Sequence, residues 1–240
     1  MQTQDVPGEF FFKLWPWLEA NKNRLIGGLV AIILLSGVWY YIQSQRAQKE
    51  VDAGEALTSL LMDSTANKDD SQMAGALEQL AAKYSGTAAG KRAQLQAAGA
   101  QFEAGNYPEA EAQFKKYLDA NPTDPLAASA ELGLGASLEA QNQLDAAAAA
   151  YQRVVSVFSA SSSVQPAQFA LGRIAEQQKK YTEAMNYYDD AAHTALGGTL
   201  AQEAAMRAAD LKARIAATAA KPAAQAAPKP LVVPQPAAKP

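Results

Sequence analysis

The sequence predicts an all-α protein in which one membrane-spanning helix precedes an α-solenoid of helical hairpins. First, a large apolar residue, an alanine three positions later and an aromatic residue four positions after that recur at a spacing of 37 residues. A fixed period of this length is typical of stacked helical repeats rather than of a closed globular core. Second, residues 25–42 form one uncharged apolar run, which is long enough to cross a bilayer.

Composition supports the same class and excludes several functions. A chain of 240 residues holds one anchor and one domain of ordinary size. Alanine is abundant, whereas valine and isoleucine are scarce after the N-terminal segment, which favours helix over sheet. With 21 basic and 24 acidic residues and a net charge of −3, no nucleic-acid partner is expected. The absence of cysteine excludes disulfides and thiolate chemistry.

The apolar run is interpreted as an uncleaved transmembrane helix over residues 25–42. Trp39–Tyr41 lie at its far end and Trp15 and Trp17 precede it, as interfacial aromatic belts require. A cleaved signal peptide would have a shorter apolar region followed by small residues, but bulky aromatic residues occupy that place. A buried helix of a soluble protein would normally carry a polar face.

Charges flanking the span predict its orientation. The flanking basic residues are Lys13, Lys22 and Arg24 before the span and Arg46 and Lys49 after it. The positive-inside rule then places residues 1–24 in the cytoplasm as a short N-terminal segment and the rest of the chain on the opposite side. Residues 10–18 either lie flat on the membrane surface or form a short hydrophobic lead-in, and the sequence leaves both open.

Helical periodicity and turn residues divide the chain after the span into helix pairs. The predicted pairs are residues 46–62 with 71–84, 88–104 with 108–120, 125–141 with 145–158, and 165–179 with 182–196, followed by a last helix over 199–217. The first pair keeps the pattern only weakly, as terminal repeats often do. Pro122, Pro125 and Gly197-Gly198 mark junctions between pairs. The repeat domain is therefore predicted over residues 46–218.

The repeated residue types follow from the packing of two antiparallel helices. Small residues at the crossing allow close approach, and aromatic residues fill the remaining space. We expect three alanines to face a small residue on the partner helix: Ala110 with Ala98, Ala147 with Gly135, and Ala184 with Gly172. The aromatic residues Phe114, Tyr151 and Tyr188 are expected to fill the space toward the next pair.

These positions resemble tetratricopeptide repeats. The matching residues are Leu134-Gly135, Leu144, Ala147 and Tyr151, then Leu171-Gly172, Tyr181, Ala184, Tyr188 and Ala191, with a third match at Phe102, Tyr107, Ala110, Phe114 and Pro122. The usual tryptophan of the first helix is missing, and the period is 37 rather than 34 residues. We place the three additional residues in the turns between repeats. The resemblance implies a solenoid that binds peptides or partner proteins in a concave groove.

The layout of the whole chain resembles the YfgM family. The resemblance covers about residues 10–218 and rests on Leu14–Lys22, on a span that ends Gly37–Tyr41, and on the basic helix and degenerate repeats that follow. It implies a single-pass protein of the bacterial inner membrane with a periplasmic repeat domain. Its implied partners are Sec translocon subunits, a periplasmic peptidyl-prolyl isomerase and translocating polypeptides, which it would help periplasmic chaperones to handle. The alternative function is a structural scaffold in a cell-envelope or cell-division complex.

The tetratricopeptide resemblance also implies which residues line the groove, because the first helix of each repeat faces it. The candidate partner-binding residues are Arg92, Leu95, Phe102 and Glu103, then Leu132 and Glu139, then Phe169, Arg173 and Glu176. This mixture of apolar and singly charged side chains would suit a weak, sequence-tolerant grip on extended chains. For Leu95, Leu132 and Phe169, burial between repeats is an equally good interpretation.

No catalytic constellation is present in the sequence. There is no glycine-rich phosphate loop, zinc-protease helix motif or nucleophile elbow. The one histidine, His193, follows Asp189 and Asp190 by about one helical turn. It is better explained as a solvated histidine near a helix C-terminus than as a metal ligand. We therefore predict no enzyme activity, no metal site and no cofactor.

The last segment, residues 219–240, is rich in alanine and proline and has too few apolar residues to fold. It is predicted to be disordered and extended, with a spacer as its main role. A docking segment centred on Leu231–Val233, or contact with a cell-wall polymer, is the alternative.

Overall fold

The computed structural model describes residues 8–64, 69–194 and 197–225, and the side chains of 16–62, 69–194 and 197–218. In these ranges the chain forms helices and turns without a strand. The helices are α1 Gly8–Ser64, α2 Asp70–Lys83, α3 Ala88–Glu103, α4 Tyr107–Ala120, α5 Ala127–Ala140, α6 Leu144–Val157, α7 Val164–Gln177, α8 Tyr181–Ala192 and α9 Gly198–Gln225. The all-α prediction is confirmed, and the predicted helices that correspond to α2 to α8 begin and end within a few residues of these bounds.

Helix α1 joins segments that the sequence predicts as separate elements. It is one helix of 57 residues with Pro16 inside it, so helical backbone runs through the predicted N-terminal segment, the span and the first repeat helix. Residues 43–45 contain neither glycine nor proline, and nothing at that point ends a helix. At 1.5 Å per residue, α1 is about 85 Å long.

The C-terminal part of α1 is the first helix of the solenoid. Ala53 is fully buried and Leu57 is nearly so. Leu57 packs in one apolar cluster with Leu77 and Leu80 of α2 and with two alanines of α3. The candidate membrane span and the first helix of the repeat domain are therefore parts of one continuous helix.

The helices form two layers. Each helix packs against the next along the chain, and in addition α1 contacts α3, α3 contacts α5, and α7 contacts α9. Odd-numbered helices therefore approach one another across the hairpins and form an inner layer. Helices α2, α4, α6 and α8 form the outer layer. This arrangement agrees with the solenoid prediction, in which the first helix of each pair lies in the inner layer.

Turns within the second, third and fourth pairs are three residues long and repeat one geometry. Gly105, Asn142 and Lys179, spaced 37 residues apart, have φ values of 80°, 60° and 62°. In each turn the next amide donates back into the preceding helix: Asn106 N to Gln101 O at 2.9 Å, Gln143 N to Leu138 O at 2.9 Å, and Lys180 N to Ala175 O at 2.8 Å. This is the Schellman termination, which needs one left-handed residue.

Turns between the pairs are longer, and they contain the additional residues of the 37-residue period. Residues 121–126 and 158–163 each connect one pair to the next, twice the length of the turns within pairs. In the first of these turns, Asp124 accepts hydrogen bonds from Tyr117 Oη at 2.9 Å, Leu126 N at 3.0 Å and Lys91 Nζ at 2.8 Å. The placement of the extra residues in the turns between repeats is confirmed.

The aromatic residues of the second helices pack on glycines of the first helices. A Cβ atom on Gly135 would lie 2.6 Å from the ring of Tyr151, and one on Gly172 would lie 2.7 Å from the ring of Tyr188. Both rings thus pack on the first helix of their own pair. Only Phe114 meets a glycine of the next pair, Gly133. Each glycine thus makes room for a ring, a contact that the prediction did not include. In the direction that the prediction gave, Tyr151 shares a cluster with Leu171 and Ile174 of α7, and Tyr188 shares one with Ala204 and Leu211 of α9.

Helix α9 ends the solenoid and continues beyond its predicted end. Ala204, Ala208 and Leu211 are buried against α7 and α8. The helix runs to Gln225, past residue 217 and into the segment predicted to be disordered, because residues 216–225 are mostly alanine, the best helix former. The rest of the tail, residues 226–240, lies outside the described residues, as do residues 1–7.

Candidate membrane anchor and protein-binding groove

Helix α1 is long and apolar enough to span a membrane. Within Pro16–Met62, the most apolar window of 18 residues has a mean hydropathy of 2.1, and none of that window is buried. Leu35 and Trp39 expose 69% and 64% of their surface, and Tyr40 exposes 72%. Exposure of this many large apolar side chains on one helix is unfavourable in water and favourable in lipid.

The groove residues predicted from the sequence lie on α3, α5 and α7 of the inner layer. Their exposure differs along the surface. Arg92, Glu103 and Arg173 are exposed, Leu95, Phe102, Leu132, Glu139 and Glu176 are half-buried, and Phe169 is buried. Three of the five charged candidates are therefore exposed, whereas every apolar candidate is half-buried or buried.

Three apolar candidates belong in large part to the core. Leu95, Phe102 and Leu132 pack against the central apolar cluster that joins α3 to α7. The ring of Phe102 also lies 5.2 Å, between centroids, from that of Tyr107 at the start of α4. The structure thus supports the inter-repeat interpretation for Leu95 and Leu132.

Glu139 and Glu176, which are 37 residues apart, accept equivalent hydrogen bonds at the groove surface. The hydroxyl of Tyr151 donates to Glu139 at 2.9 Å, and that of Tyr188 donates to Glu176 at 3.1 Å. Arg173 of α7 donates to both carboxylate oxygens of Glu139 at 2.8 Å, connecting neighbouring inner helices. Two of the predicted groove charges therefore pair with each other.

Burial and these contacts keep the hydroxyls of two tyrosines protonated. Burial, followed by the neighbouring Glu139 carboxylate, raises the pKa of Tyr151 well above its ordinary value. Burial and the hydrogen bond to Glu176 raise the pKa of Tyr188 to about 12. Both hydroxyls stay protonated at physiological pH and act as hydrogen-bond donors. The arrangement stabilises the repeat interfaces and provides no nucleophile.

Helix α9 covers the groove at α7. The guanidinium of Arg207 lies 5.4 Å from the ring centroid of Phe169 and 5.8 Å from that of Tyr188. Arg207 and Arg214 also lie 3.9 Å and 3.7 Å from the carboxylate of Glu176. Phe169 therefore contacts α9 and is not free to bind a partner.

Sequence reasoning also missed a buried carboxylate in α5. Glu131 exposes 2% of its surface, and burial raises its pKa. Its Oε1 lies 3.5 Å from Arg153 Nε, while its Oε2 has no hydrogen-bond partner among the described residues. Gln168 occupies the same place one period later. Burial of this carboxylate lowers the stability of the fold. It gives no catalytic geometry, because Arg153 is the one titratable group beside Glu131 in the described contacts.

Large apolar side chains are sparse on the described surface of the repeat domain. Those that are exposed are Val51, Met62, Val157, Tyr181 and Met206. They are scattered over several helices and form no continuous patch. An open cavity of 670 Å³ adjoins Tyr181 and is also lined by Arg214 and Ile215 of α9. The described surface of the repeat domain is therefore mainly polar and charged.

His193 lies at the C-terminal end of α8. Its Nδ1 is 2.7 Å from the main-chain oxygen of Asp189 and 3.6 Å from that residue's carboxylate. Among the residues that the structure describes, no group of three or more histidine, cysteine or acidic side chains is arranged to hold a metal ion. The described contacts of His193 are thus those of a surface residue at a helix end.

The sequence profile of the tetratricopeptide repeat-like domain matches residues 16–213. The match covers most of the chain, including the apolar part of α1. This protein belongs to the tetratricopeptide repeat-like domain family. The fold of this family is typically a protein-interaction scaffold. The match begins before the span, which agrees with α1 being part of the repeat architecture.

Other comparisons add likenesses of lower similarity. No curated protein sequence matches the chain significantly. Two solved structures contain nearly identical TPR-like repeats from a Podosopora anserina protein described as a kinesin light chain. One, a single-substitution variant, is 15% identical, with a TM-score of 0.48 over 74% of this chain and 96% of that chain. The other is 14% identical, with a TM-score of 0.45 over 72% and 97%.

Proposed function

We propose that this protein is a membrane-anchored protein-binding module of the YfgM type. In this proposal it crosses the bacterial inner membrane once, with a cytoplasmic N-terminus and a periplasmic repeat domain. It acts as an ancillary Sec translocon subunit that assists periplasmic chaperones with secreted or outer-membrane polypeptides. The observation that carries the proposal is the continuity of α1, whose exposed apolar segment and first solenoid helix are one element.

This continuity would hold the groove close to the bilayer. The carboxylate of Glu50 in α1 accepts hydrogen bonds from Ala88 N at 2.8 and 3.0 Å and from Ala89 N at 3.3 Å. Lys49 Nζ donates to Ser85 O at 3.3 Å. The N-terminus of α3 is thus capped by the anchor helix itself. A partner that binds the inner layer would therefore lie beside the membrane at a defined distance.

The groove chemistry favours contacts of moderate strength. Arg92 and Glu103 are the exposed predicted charges on α3, and the Glu139–Arg173 pair offers both signs on the next two inner helices. Exposed polar contacts of this kind contribute little affinity each and tolerate different partner sequences. This suits a subunit that releases its partners.

Purification of the full chain from membranes in mild detergent tests the partner assignment. Translocon subunits and a periplasmic peptidyl-prolyl isomerase are expected to co-purify and to be identified by mass spectrometry. Recovery of the chain without either class of partner would overturn the translocon assignment while leaving the fold and the anchor in place.

A single introduced cysteine tests the orientation, since the chain has no cysteine of its own. Thr123→Cys lies in the exposed turn between α4 and α5. A membrane-impermeant maleimide is expected to label it in cells with a permeabilised outer membrane and an intact inner membrane. Gln4→Cys serves as the matched cytoplasmic control and is expected to react only after lysis. The reverse pattern would contradict the periplasmic location.

A structural scaffold in a cell-envelope or cell-division complex is the second candidate. The sparse apolar surface of the repeat domain favours it, because unfolded clients are held mainly through apolar contacts. A scaffold would bind one folded partner at fixed stoichiometry and would not protect an unfolded model protein from aggregation. Client handling by this chain itself predicts such protection, so the aggregation assay separates the two functions.

A further inference from the structure

The antiparallel helices place the turns of the solenoid at two opposite ends. Glu50 of α1 contacts the start of α3, and Lys49 contacts Ser85 in the turn between α2 and α3. Lys91 at the start of α3 contacts Asp124 in the turn between α4 and α5. Arg153 near the end of α6 approaches Glu131 near the start of α5. We call this end, with turns 84–87, 121–126 and 158–163, the membrane-facing end, because α1 enters the solenoid there.

The membrane-facing end lies within electrostatic reach of the bilayer surface. Glu50 follows Ile42, the last residue of the apolar run, by eight positions. Eight helical residues rise about 12 Å, whereas the headgroup layer extends roughly 5–8 Å beyond the hydrocarbon on each side. The distance between Glu50 and the outer edge of the headgroup layer is therefore shorter than a Debye length of about 8–10 Å. Long basic side chains at this end would reach the headgroups.

Charge is distributed unevenly between the two ends in the first three pairs. Apart from Lys91 and Arg153, which pair with Asp124 and Glu131, the basic side chains at the membrane-facing end are exposed: Arg46, Lys49, Lys83, Arg92 and Lys116. The exposed acidic residues there are Asp52 and Asp119, while Glu50, Asp124 and Glu131 are engaged by the amides and cations named above. The opposite end carries exposed acidic residues at Asp69, Asp70, Glu103, Glu109 and Asp145.

We propose that the membrane-facing end of the first three helix pairs binds anionic phospholipid headgroups of the bilayer that α1 spans. This contact rests on the proposed anchor and adds a second point of attachment. The span fixes the distance of the repeat domain from the bilayer, and the basic end holds the solenoid axis along the bilayer surface. The acidic end is repelled by the same headgroups and points away from them. The fourth pair is outside this contact, since Asp189 and Asp190 are exposed at its membrane-facing end.

Energy transfer in proteoliposomes tests this contact with the full chain. Thr123→Cys, at the membrane-facing end, carries the donor, and Asn106→Cys, in an exposed turn at the opposite end, is the comparison. Acceptor-labelled lipid is included in vesicles of phosphatidylcholine alone or mixed with phosphatidylglycerol. Transfer from position 123 is expected to rise in the anionic vesicles and to return to the neutral value in high salt, and transfer from position 106 is expected to stay lower.

Charge reversal provides the matched control. The variant with Arg46→Glu, Lys83→Glu and Lys116→Glu is expected to lose the response to anionic lipid, whereas that with Asp70→Lys, Glu109→Lys and Asp145→Lys is expected to keep it. Equal transfer in both lipids for the unchanged protein, or loss of the response in both variants, would overturn the contact. Failure of the chain to float with neutral vesicles would instead overturn the anchor, and the contact with it.

Discussion

Gly135 is the residue at which helix packing leaves very little room. A Cβ atom there would lie 2.6 Å from the ring of Tyr151, which is nearly fully buried. Gly135→Ala is therefore expected to lower the free energy of unfolding by roughly 1–2 kcal/mol, because overpacking outweighs the gain in helix propensity. Urea unfolding of the full chain in detergent, followed by helical circular dichroism, measures the change.

Gly99→Ala is the matched control for that substitution. Gly99 is also inside a first helix, but nothing lies within 4 Å of the place that an added methyl group would take, and the next repeat has Ala136 at this position. Gly99→Ala is expected to raise the free energy of unfolding by about 0.5–1 kcal/mol. Destabilisation of equal size in both variants would show that close packing under Tyr151 is not the cause.

Glu131 makes stability depend on pH in the direction opposite to most carboxylates. Because burial raises its pKa in the folded state, the folded chain binds the proton more tightly than the unfolded chain. The stability that Glu131 contributes is present below the pKa that its carboxyl has in the unfolded chain. It is lost as pH rises through the higher pKa of the folded state. Glu131→Gln, which copies Gln168 of the next repeat, is expected to raise the free energy of unfolding at pH 7 by about 1 kcal/mol.

The comparison across pH gives that prediction its test. The difference between Glu131→Gln and the unchanged chain is expected to shrink as pH falls below the ordinary glutamate pKa. A variant that is less stable at pH 7, or a difference independent of pH, would mean that the contact with Arg153 outweighs the cost of burial.

At the scale of elements, the turns explain how a 37-residue period is accommodated. Asp124 fastens the turn between α4 and α5, and its hydrogen bonds from Lys91, then Leu126 N and Tyr117, hold its pKa below the ordinary value. The contribution of Asp124 to the free energy of unfolding is present above the pKa that its carboxyl has in the unfolded chain. It is lost as pH falls through the lower pKa of the folded state. Asp124→Asn is expected to lower the free energy of unfolding by about 1–2 kcal/mol at neutral pH. No loss at pH 7 would contradict this role.

Turns within the pairs give a prediction of the opposite sign. Lys179 has a φ of 62°, in the left-handed region that costs a residue with a side chain about 1 kcal/mol. Lys179→Gly is expected to raise the midpoint of thermal unfolding, as Gly105 already occupies this place in an earlier repeat. Lys180→Gly, at a φ of −85°, is the control and is expected to lower it.

Most elements were predictable because the period repeats their signals. Three copies of the alanine and aromatic pattern placed α3 to α8 within a few residues. The continuity of α1 was not predictable in this way, because its apolar part and its amphipathic part have different periodicities. One helical backbone nevertheless joins the two parts. The pairing of Glu139 with Arg173 and the cover of Phe169 by Arg207 depend on how inner helices cross. Sequence separation alone does not give that geometry.

For the whole molecule, α1 is both the candidate anchor and the first repeat helix. The Glu50 and Lys49 contacts then transmit the position of the span to the groove. A flexible insertion of Gly-Ser residues between Gln43 and Arg46 is expected to leave folding and membrane attachment intact and to weaken partner recovery in detergent purification. A rigid helical insertion of the same length is the control for distance. Equal recovery of partners with the flexible and the rigid insertion would mean that the orientation of the groove is unimportant.

Site-specific photocrosslinking in cells is the most direct measurement of the central claim, that the inner layer of an anchored solenoid binds protein partners. A photoreactive residue at Ser129, exposed on inner helix α5, is compared with one at Gln152, exposed on outer helix α6. We expect crosslinks to membrane or periplasmic proteins from position 129 and few from position 152. Crosslinks from position 152 alone, or equal crosslinks from both, would contradict a binding groove on the inner layer.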